Sequence, residues 1–199
     1  MVRRISDPFV SFTDLKKRSM KIAILKERRP HETRVAATPE TVKKLKALGA
    51  EEIVIEAGAG TAAAYTDDAY AEAGATIVPD TAAAVAAADI VFKIQRPMSA
   101  AEGIDEISLL RTGQTLMSPL GALNNRELVE ALATRGVTSF ALELIPRITR
   151  AQSMDILSSQ ANLAGYKAVL AAADNFGRIF PQMMTPGGTL APARAFIMG

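Results

Sequence analysis

From Met20 onward, short apolar runs alternate with longer segments whose apolar residues recur at helical spacing, and this alternation constrains the fold more than any other feature of the chain. Lys21-Leu25 reads as a strand. Thr38-Pro39-Glu40 then offers an N-cap, a proline at the first helical position and an acid in the first turn; Val42, Leu45 and Leu48 follow at helical spacing, and Gly49 is the stop. Glu52-Ala57 is the next strand. Thr66-Asp67-Asp68 opens a helix that closes at Gly74, and Ala75-Val78 is a short strand. Asp80 caps an alanine-rich helix; Ile90-Ile94, Gln114-Ser118 and Val137-Leu142 are strands, the last preceded by a helix from Asn124 to Thr134. Strands joined by helical crossovers require a mainly parallel sheet flanked by helices, because a parallel return needs a dozen or more residues. The reading is therefore a Rossmann-like α/β fold, with ligands expected at the carboxyl ends of the strands.

Beyond Pro146 the pattern changes. A long helix is expected from Gln152 to Asn175, then a loop from Phe180 to Pro192 in which Pro186-Gly187 suits a type II turn, then a fresh strand at Arg194-Met198 that stops at Gly199. A strand with nothing after it to cover its apolar face reads as the start of a second α/β domain cut short. The expected organisation is a basic extension over 1-19, an N-terminal α/β domain over 20-146, and the connecting helix with the first strand of a truncated domain over 147-199.

Composition narrows the function classes. With 49% hydrophobic and 22% charged residues among 199, the chain should bury a core. The absence of cysteine excludes thiolate metal sites and a cysteine nucleophile, and a single histidine, His31, excludes His-rich metal sites. No run of about 18 uncharged apolar residues offers a membrane span. The net charge of +2 resolves into +3 over residues 1-19 and -1 over the rest, and aromatics are only 5%, so the basic, stacking surface of a nucleic-acid binder is missing. The basic leader lacks an apolar segment with a small-residue cleavage site, and Met20 directly before the first strand marks it as an upstream extension.

Gly58-Ala59-Gly60-Thr61-Ala62-Ala63 matches a dinucleotide fingerprint, with Asp80 at roughly the ribose-acid distance. That fingerprint needs a helix starting at its glycines, so that the amides and dipole meet the pyrophosphate. Here the helix start is Thr66, followed by two carboxylates that repel phosphate. The expectation is a tight glycine turn.

The opening Met20-Lys21-Ile22-Ala23-Ile24-Leu25-Lys26-Glu27, with Glu32-Thr33-Arg34-Val35-Ala36 and Thr38-Pro39, resembles the shared start of alanine dehydrogenases and the α subunit of proton-translocating NAD(P) transhydrogenases. The run from Leu144 through Arg147, Gln152, Asp155 and Ser158 to Gln160 resembles the transhydrogenase α subunit specifically. The resemblance implies an NAD(H)-binding polypeptide of two α/β domains. In it Arg147, Gln152, Asp155 and Ser158 line the nicotinamide end of the cofactor site, and Gln152 and Asp155 belong to the catalytic centre. It further implies NADP(H) on a partner subunit, a membrane-embedded partner, a homodimer, and a peripheral position on the cytoplasmic side of the inner membrane. The chain departs from the family pattern in lacking the later fingerprint glycines, so the piece alone is expected to be inactive.

Arg34 and Lys93 match basic residues that hold the substrate carboxylate in alanine dehydrogenases, while the position of that family's proton-carrying histidine is Gly121. Oxidising an amino acid needs such a proton carrier, whereas transfer between two nicotinamides moves a hydride alone. Arg34 and Lys93 are then expected in structural or ion-pair roles, and His31 in solvent. Three readings remain open from the sequence: a piece of the transhydrogenase α subunit, a piece of an alanine-dehydrogenase-like enzyme, and a non-catalytic α/β association module.

Overall fold

The computed structural model describes residues 20-198, so the extension over 1-19 lies outside the described residues. It forms two compact units that divide between Leu144 and Ile145.

In the first unit, β1 (Met20–Ile24), β2 (Ala50–Glu56), β3 (Thr76–Val78), β4 (Ile90–Phe92), β5 (Thr115–Ser118) and β6 (Thr138–Ala141) make one sheet in the order β3-β2-β1-β4-β5-β6. Every pairing in it is parallel. The helices are α1 (Pro39–Ala47), α2 (Asp67–Glu72), α3 (Thr81–Ala87), a short α4 (Glu106–Leu109) and α5 (Arg126–Thr134). Each of the first three starts where an oxygen-bearing cap stands ready: the side chains of Thr38, Thr66 and Asp80 accept the N–H of Thr41, Ala69 and Ala83, which satisfies a donor that the helix itself cannot. α4, missed in the sequence, is a single turn capped by Asp105 and too short to show periodicity.

Because successive side chains of a strand point to opposite faces, the sheet carries two cores. On one face Ala23, Leu25, Val54, Val91 and Leu116 pack with Val85 of α3 and Leu128 and Leu132 of α5. On the other, Ile22, Ile24, Ile53 and Ile55 pack with Val42 of α1 and Tyr70 of α2. β1 lies between strands reached in opposite directions along the chain, so the β1/β4 boundary is the switch point where doubly wound sheets open a crevice.

The second unit begins with a 3₁₀ stretch, Thr149–Met154, and continues as α6 (Ile156–Asn175) and a hairpin of β7 (Met183–Thr185) and β8 (Gly188–Leu190). The long helix thus starts four residues later than its apolar pattern suggests, because Asp155 takes the cap. The expected loop over 180-192 folds as that hairpin, and its positive φ falls on Gly188 (126°) rather than on Gly187, so Pro186-Gly187 is not the type II turn expected. Residues 194-198, expected as a strand, have no regular secondary structure and belong to no sheet; the described residues give them no neighbouring strand to pair with. No helix among the described residues is long and apolar enough to cross a membrane.

Candidate functional site

The carboxyl ends of β1, β2 and β4 bring together most of the buried charge of the first unit. Lys93, one residue past β4 and 2% exposed at its side chain, lies 3.0 Å from Glu106 and 3.3 Å from Glu27. Glu27 also accepts the Ile94 N–H (2.7 Å), and Glu106 the Met98 N–H (2.8 Å). Burial pushes the Glu27 carboxyl above its ordinary pKa against the pull of Lys93. Beside this triad, the buried Glu56 at the end of β2 accepts from the Lys26 N–H (2.9 Å), the Thr81 hydroxyl (3.0 Å) and the Arg28 guanidinium. Glu102 is clamped by both Arg29 and Arg96, each at 2.7 Å. Arg34 grips Glu32, which also takes a bond from Gln95 (2.6 Å) and is held down to about 2 by the guanidinium. The carboxyl ends of these strands are thus laced by ion pairs of the chain itself, and a cavity of about 230 Å³ lined by Lys26, Glu27, Glu32, Arg34 and the Gly58 turn remains beside them. Lys93 and Arg34 are engaged by carboxylates of the chain itself, as the sequence led us to expect, and His31 is exposed.

The loop after β5 has no proton carrier. Gly121 adopts φ 59°, and a Cβ there would stand 2.5 Å from the Asn125 amide nitrogen. Two anchors hold the loop: Glu143 accepts the N–H of Leu120 (3.0 Å) and of Ala122 (2.8 Å), while the Asn125 amide donates to the carbonyls of Leu120 and Gly121. Sequence reading missed Glu27, Glu106 and Glu143. The available signal was an acid among apolar neighbours, as Glu143 is between Leu142 and Leu144.

The Gly58 turn does not fit a pyrophosphate. Its N–H donates to both oxygens of Asp67 (3.0 and 3.1 Å), so a carboxylate of the chain holds the place a phosphate would need. α2 begins only at Asp67, as expected from Thr66.

In the second unit, Asp155 is the organising residue. It caps α6 by accepting the Ser158 N–H (3.0 Å) and hydroxyl (2.6 Å), its own N–H donates to the Gln152 carbonyl (3.3 Å), and its carbonyl accepts the Ser159 hydroxyl (3.0 Å). The Ser158 bonds, aided by the charge of Arg147, keep the Asp155 carboxyl below its ordinary pKa. Sequence spacing had put Gln152, Asp155 and Ser158 on one face of a single helix. Instead Gln152 lies in the 3₁₀ stretch, Asp155 is the cap and Ser158 is in the first turn. The three are neighbours through capping rather than periodicity. Arg147, Gln152 and Ser158 are exposed; the charge of Arg147 and the hydroxyl of Ser158 both act on the Asp155 carboxylate, while Gln152 meets Asp155 through its backbone carbonyl. Asp155→Ala should speed hydrogen exchange at the Ser158 amide several-fold, and Asp155→Asn, which keeps an oxygen acceptor, should not; equal exchange in both variants would remove Asp155 as the cap.

Residues 23–164 match the family described as alanine dehydrogenase/PNT, N-terminal domain. The chain belongs to this family. It is 59% identical over 180 residues, 90% of its length, to the first polypeptide of the NAD(P) transhydrogenase subunit alpha of Rhodospirillum rubrum, of which that stretch is 47%. The transhydrogenase crystal structure from Sinorhizobium meliloti superposes with a TM-score of 0.79 at 47% identity, covering 87% of this chain and 50% of that one. The alanine dehydrogenase of Mycobacterium tuberculosis is a more distant relative, 33% identical over 180 residues and matched over 43% of its length. The chain therefore spans about half the length of the relatives it matches. The family resemblance and the Rossmann-like parallel fold drawn from the sequence are both borne out.

Proposed function

We propose that the chain is the amino-terminal part of the NAD(H)-side α subunit of a proton-translocating NAD(P) transhydrogenase, organised as an α/β domain over 20-146 followed over 147-199 by a connecting helix and the start of a truncated NAD-binding domain. Its assembly would carry hydride from NADH to NADP+, giving NAD+ and NADPH, coupled to proton movement in membrane-embedded partner subunits. NADP(H) would sit on a separate subunit, the α subunit would pair as a homodimer, and the whole would lie on the cytoplasmic side of the inner membrane. The observation that carries this reading is the 59% identity to a transhydrogenase α subunit along nine-tenths of the chain. Two features of the site support it over amino acid oxidation: Lys93 and Arg34 are neutralised internally, and the loop at Gly121 offers no group that could exchange a proton with a substrate.

A nicotinamide, when bound, supplies the hydride chemistry; the residues present orient and shield. Gln152 and Asp155 would act at the nicotinamide end, Asp155 holding Ser158 and the helix start in place so that Arg147, Gln152 and Ser158 meet ribose and carboxamide. A carboxylate kept ionised favours hydroxyl donors over phosphate, which suits a ribose edge. The Gly58 turn supplies no pyrophosphate cradle, since its N–H is already engaged by Asp67, and the chain alone should be inactive.

The test joins this chain to the segment of the Rhodospirillum rubrum relative that it does not span and adds that organism's partner subunits. NADH-driven reduction of thio-NADP+ is expected, lowered at least tenfold by Gln152→Ala, with no NAD+ reduction driven by alanine. Alanine-driven turnover, or transfer indifferent to Gln152, would overturn the assignment.

A further inference from the structure

At the carboxyl edge of the first unit's sheet, the loops after β1, β2, β4 and β5 share one feature: each gives backbone N–H groups to a carboxylate of the chain itself. The Lys26 N–H donates to Glu56 (2.9 Å), the Gly58 N–H to Asp67 (3.0 and 3.1 Å), the Ile94 N–H to Glu27 (2.7 Å), and the Leu120 and Ala122 N–H groups to Glu143 (3.0 and 2.8 Å). In doubly wound folds, backbone N–H groups at this edge are the usual cradle of phosphates. Here each of them already meets an anionic oxygen that the chain supplies. A carboxylate in such a place acts twice against an external anion, since it occupies the donors and repels the newcomer's charge.

Three of these four carboxylates have a further partner: Glu27 has Lys93, Glu56 has Arg28, and Glu143 serves two donors of its loop. Asp67 differs. It is not the cap of α2, because Thr66 takes that role through the Ala69 N–H at 3.2 Å, and both its oxygens turn to the single N–H of Gly58. Around that glycine stand two groups with no hydrogen bond or ion pair among the described residues, the Lys26 ammonium and the Thr61 hydroxyl. Each is 3.5 Å from the point where a Cβ would sit on Gly58. The bare Cα, at φ 71°, leaves the space between them open to the cavity that Lys26, Thr61 and Arg34 line. The acids of the same cavity wall, Glu27 and Glu32, are engaged by Lys93 and Arg34. An ammonium, a hydroxyl and a backbone N–H around one glycine are the donor set of an oxyanion site, and the carboxylate that stands on it is Asp67.

We propose that Asp67 is a built-in anion surrogate and a specificity-determining residue: it closes a preformed oxyanion site, made by the Gly58 N–H, the Lys26 ammonium and the Thr61 hydroxyl, to the phosphates of a dinucleotide. The functional reading above supplies the identity of the excluded ligand; the site itself rests on geometry alone. Of a dinucleotide, this edge then admits the uncharged ring and ribose and turns away the pyrophosphate, which restricts the direction in which the cofactor can lie.

Removing the surrogate should turn exclusion into binding. The probe is inorganic phosphate, titrated into the chain at constant pH and ionic strength and followed by the Gly58 amide resonance. The native chain should show no saturable shift. Asp67→Ala should bind phosphate about tenfold or more tightly than the native chain, and adding Lys26→Met should abolish that gain. Asp67→Asn, neutral but with an oxygen still able to hold the Gly58 N–H, should gain less than Asp67→Ala. Any of three results overturns the proposal: no gain in Asp67→Ala; a native chain that binds as tightly as the variant; or a gain that survives Lys26→Met, which puts the anion elsewhere. Asp67→Ser repeats the titration if Asp67→Ala does not fold, and loss of fold in both makes Asp67 a structural requirement of the turn and equally overturns the surrogate role. Hydride transfer is scored separately in the completed α subunit: a site that opens in a chain unable to support transfer sinks the functional reading and leaves the site standing, and transfer without any opening does the reverse.

Discussion

Lys93→Met should destabilise the chain by about 3–5 kcal/mol at neutral pH, the usual cost of removing one partner from a buried ion pair. The expectation follows from what remains rather than from the bond lost. Without the ammonium, Glu27 and Glu106 face each other in a site from which Lys93 itself is almost wholly excluded from water, and two uncompensated carboxylates there repel and lack solvation. Acid should relieve the deficit. Burial already raises the Glu27 pKa in the native chain, and losing its cation raises it further in the folded variant. The folded variant then holds a proton that the unfolded chain releases, so its stability falls as pH rises through the folded value and recovers as pH is lowered. Urea unfolding of native chain and variant at pH 5 and pH 8 measures both effects. A deficit under 1 kcal/mol at pH 8, or one that does not shrink at pH 5, would show that the triad is solvated.

That triad also marks how far the sequence could be read. Strand positions and helix starts were legible because each rests on local chemistry: Thr38, Thr66 and Asp80 cap the helices they precede, and Ile22, Ile24, Ile53 and Ile55 share a face by period alone. The charged cluster was not legible, since Glu27, Lys93 and Glu106 are 66 and 13 residues apart and only the parallel pairing of β1 with β4 brings the first two together. Arg34 and Lys93 stood out through family resemblance, yet their partners Glu32, Glu27 and Glu106 look in sequence like ordinary surface acids. The Arg147 to Ser158 segment was found by resemblance and misread in shape. An i, i+3, i+6 spacing implies one helical face only if a helix exists, and Asp155 ends the 3₁₀ stretch by capping α6 instead. The segment 194-198 illustrates the converse: an apolar, β-prone run becomes a strand only when another strand accepts its hydrogen bonds.

Gly60→Ala should cost about 2–4 kcal/mol, although the residue has an ordinary φ: it lies in a turn but is itself buried. A Cβ at this position would stand 2.5 Å from Cε2 of Tyr70 and 2.9 Å from both its hydroxyl oxygen and Cβ of Tyr65. Tyr70 has no freedom to yield. It is fully buried in the α1/α2 layer, its hydroxyl donates to the Ala37 carbonyl at 2.7 Å, and its burial pushes the phenol up to about 12. Displacing the ring therefore both overpacks the core, worth about 1–3 kcal/mol, and strains or breaks a buried hydrogen bond, worth about 1 kcal/mol. The glycine is required by an aromatic ring and not by a phosphate, which explains how a sequence can carry the spacing of a dinucleotide fingerprint without its function. The two explanations give opposite experimental signatures. If the ring is the reason, Gly60→Ala lowers stability in urea unfolding, the loss is smaller in a Tyr70→Leu background because the two changes share one contact, and NADH affinity of the completed α subunit is unaltered. A variant as stable as the native chain, with weakened NADH binding, would restore the turn as a phosphate cradle and undo the assignment of Asp67 as its occupant.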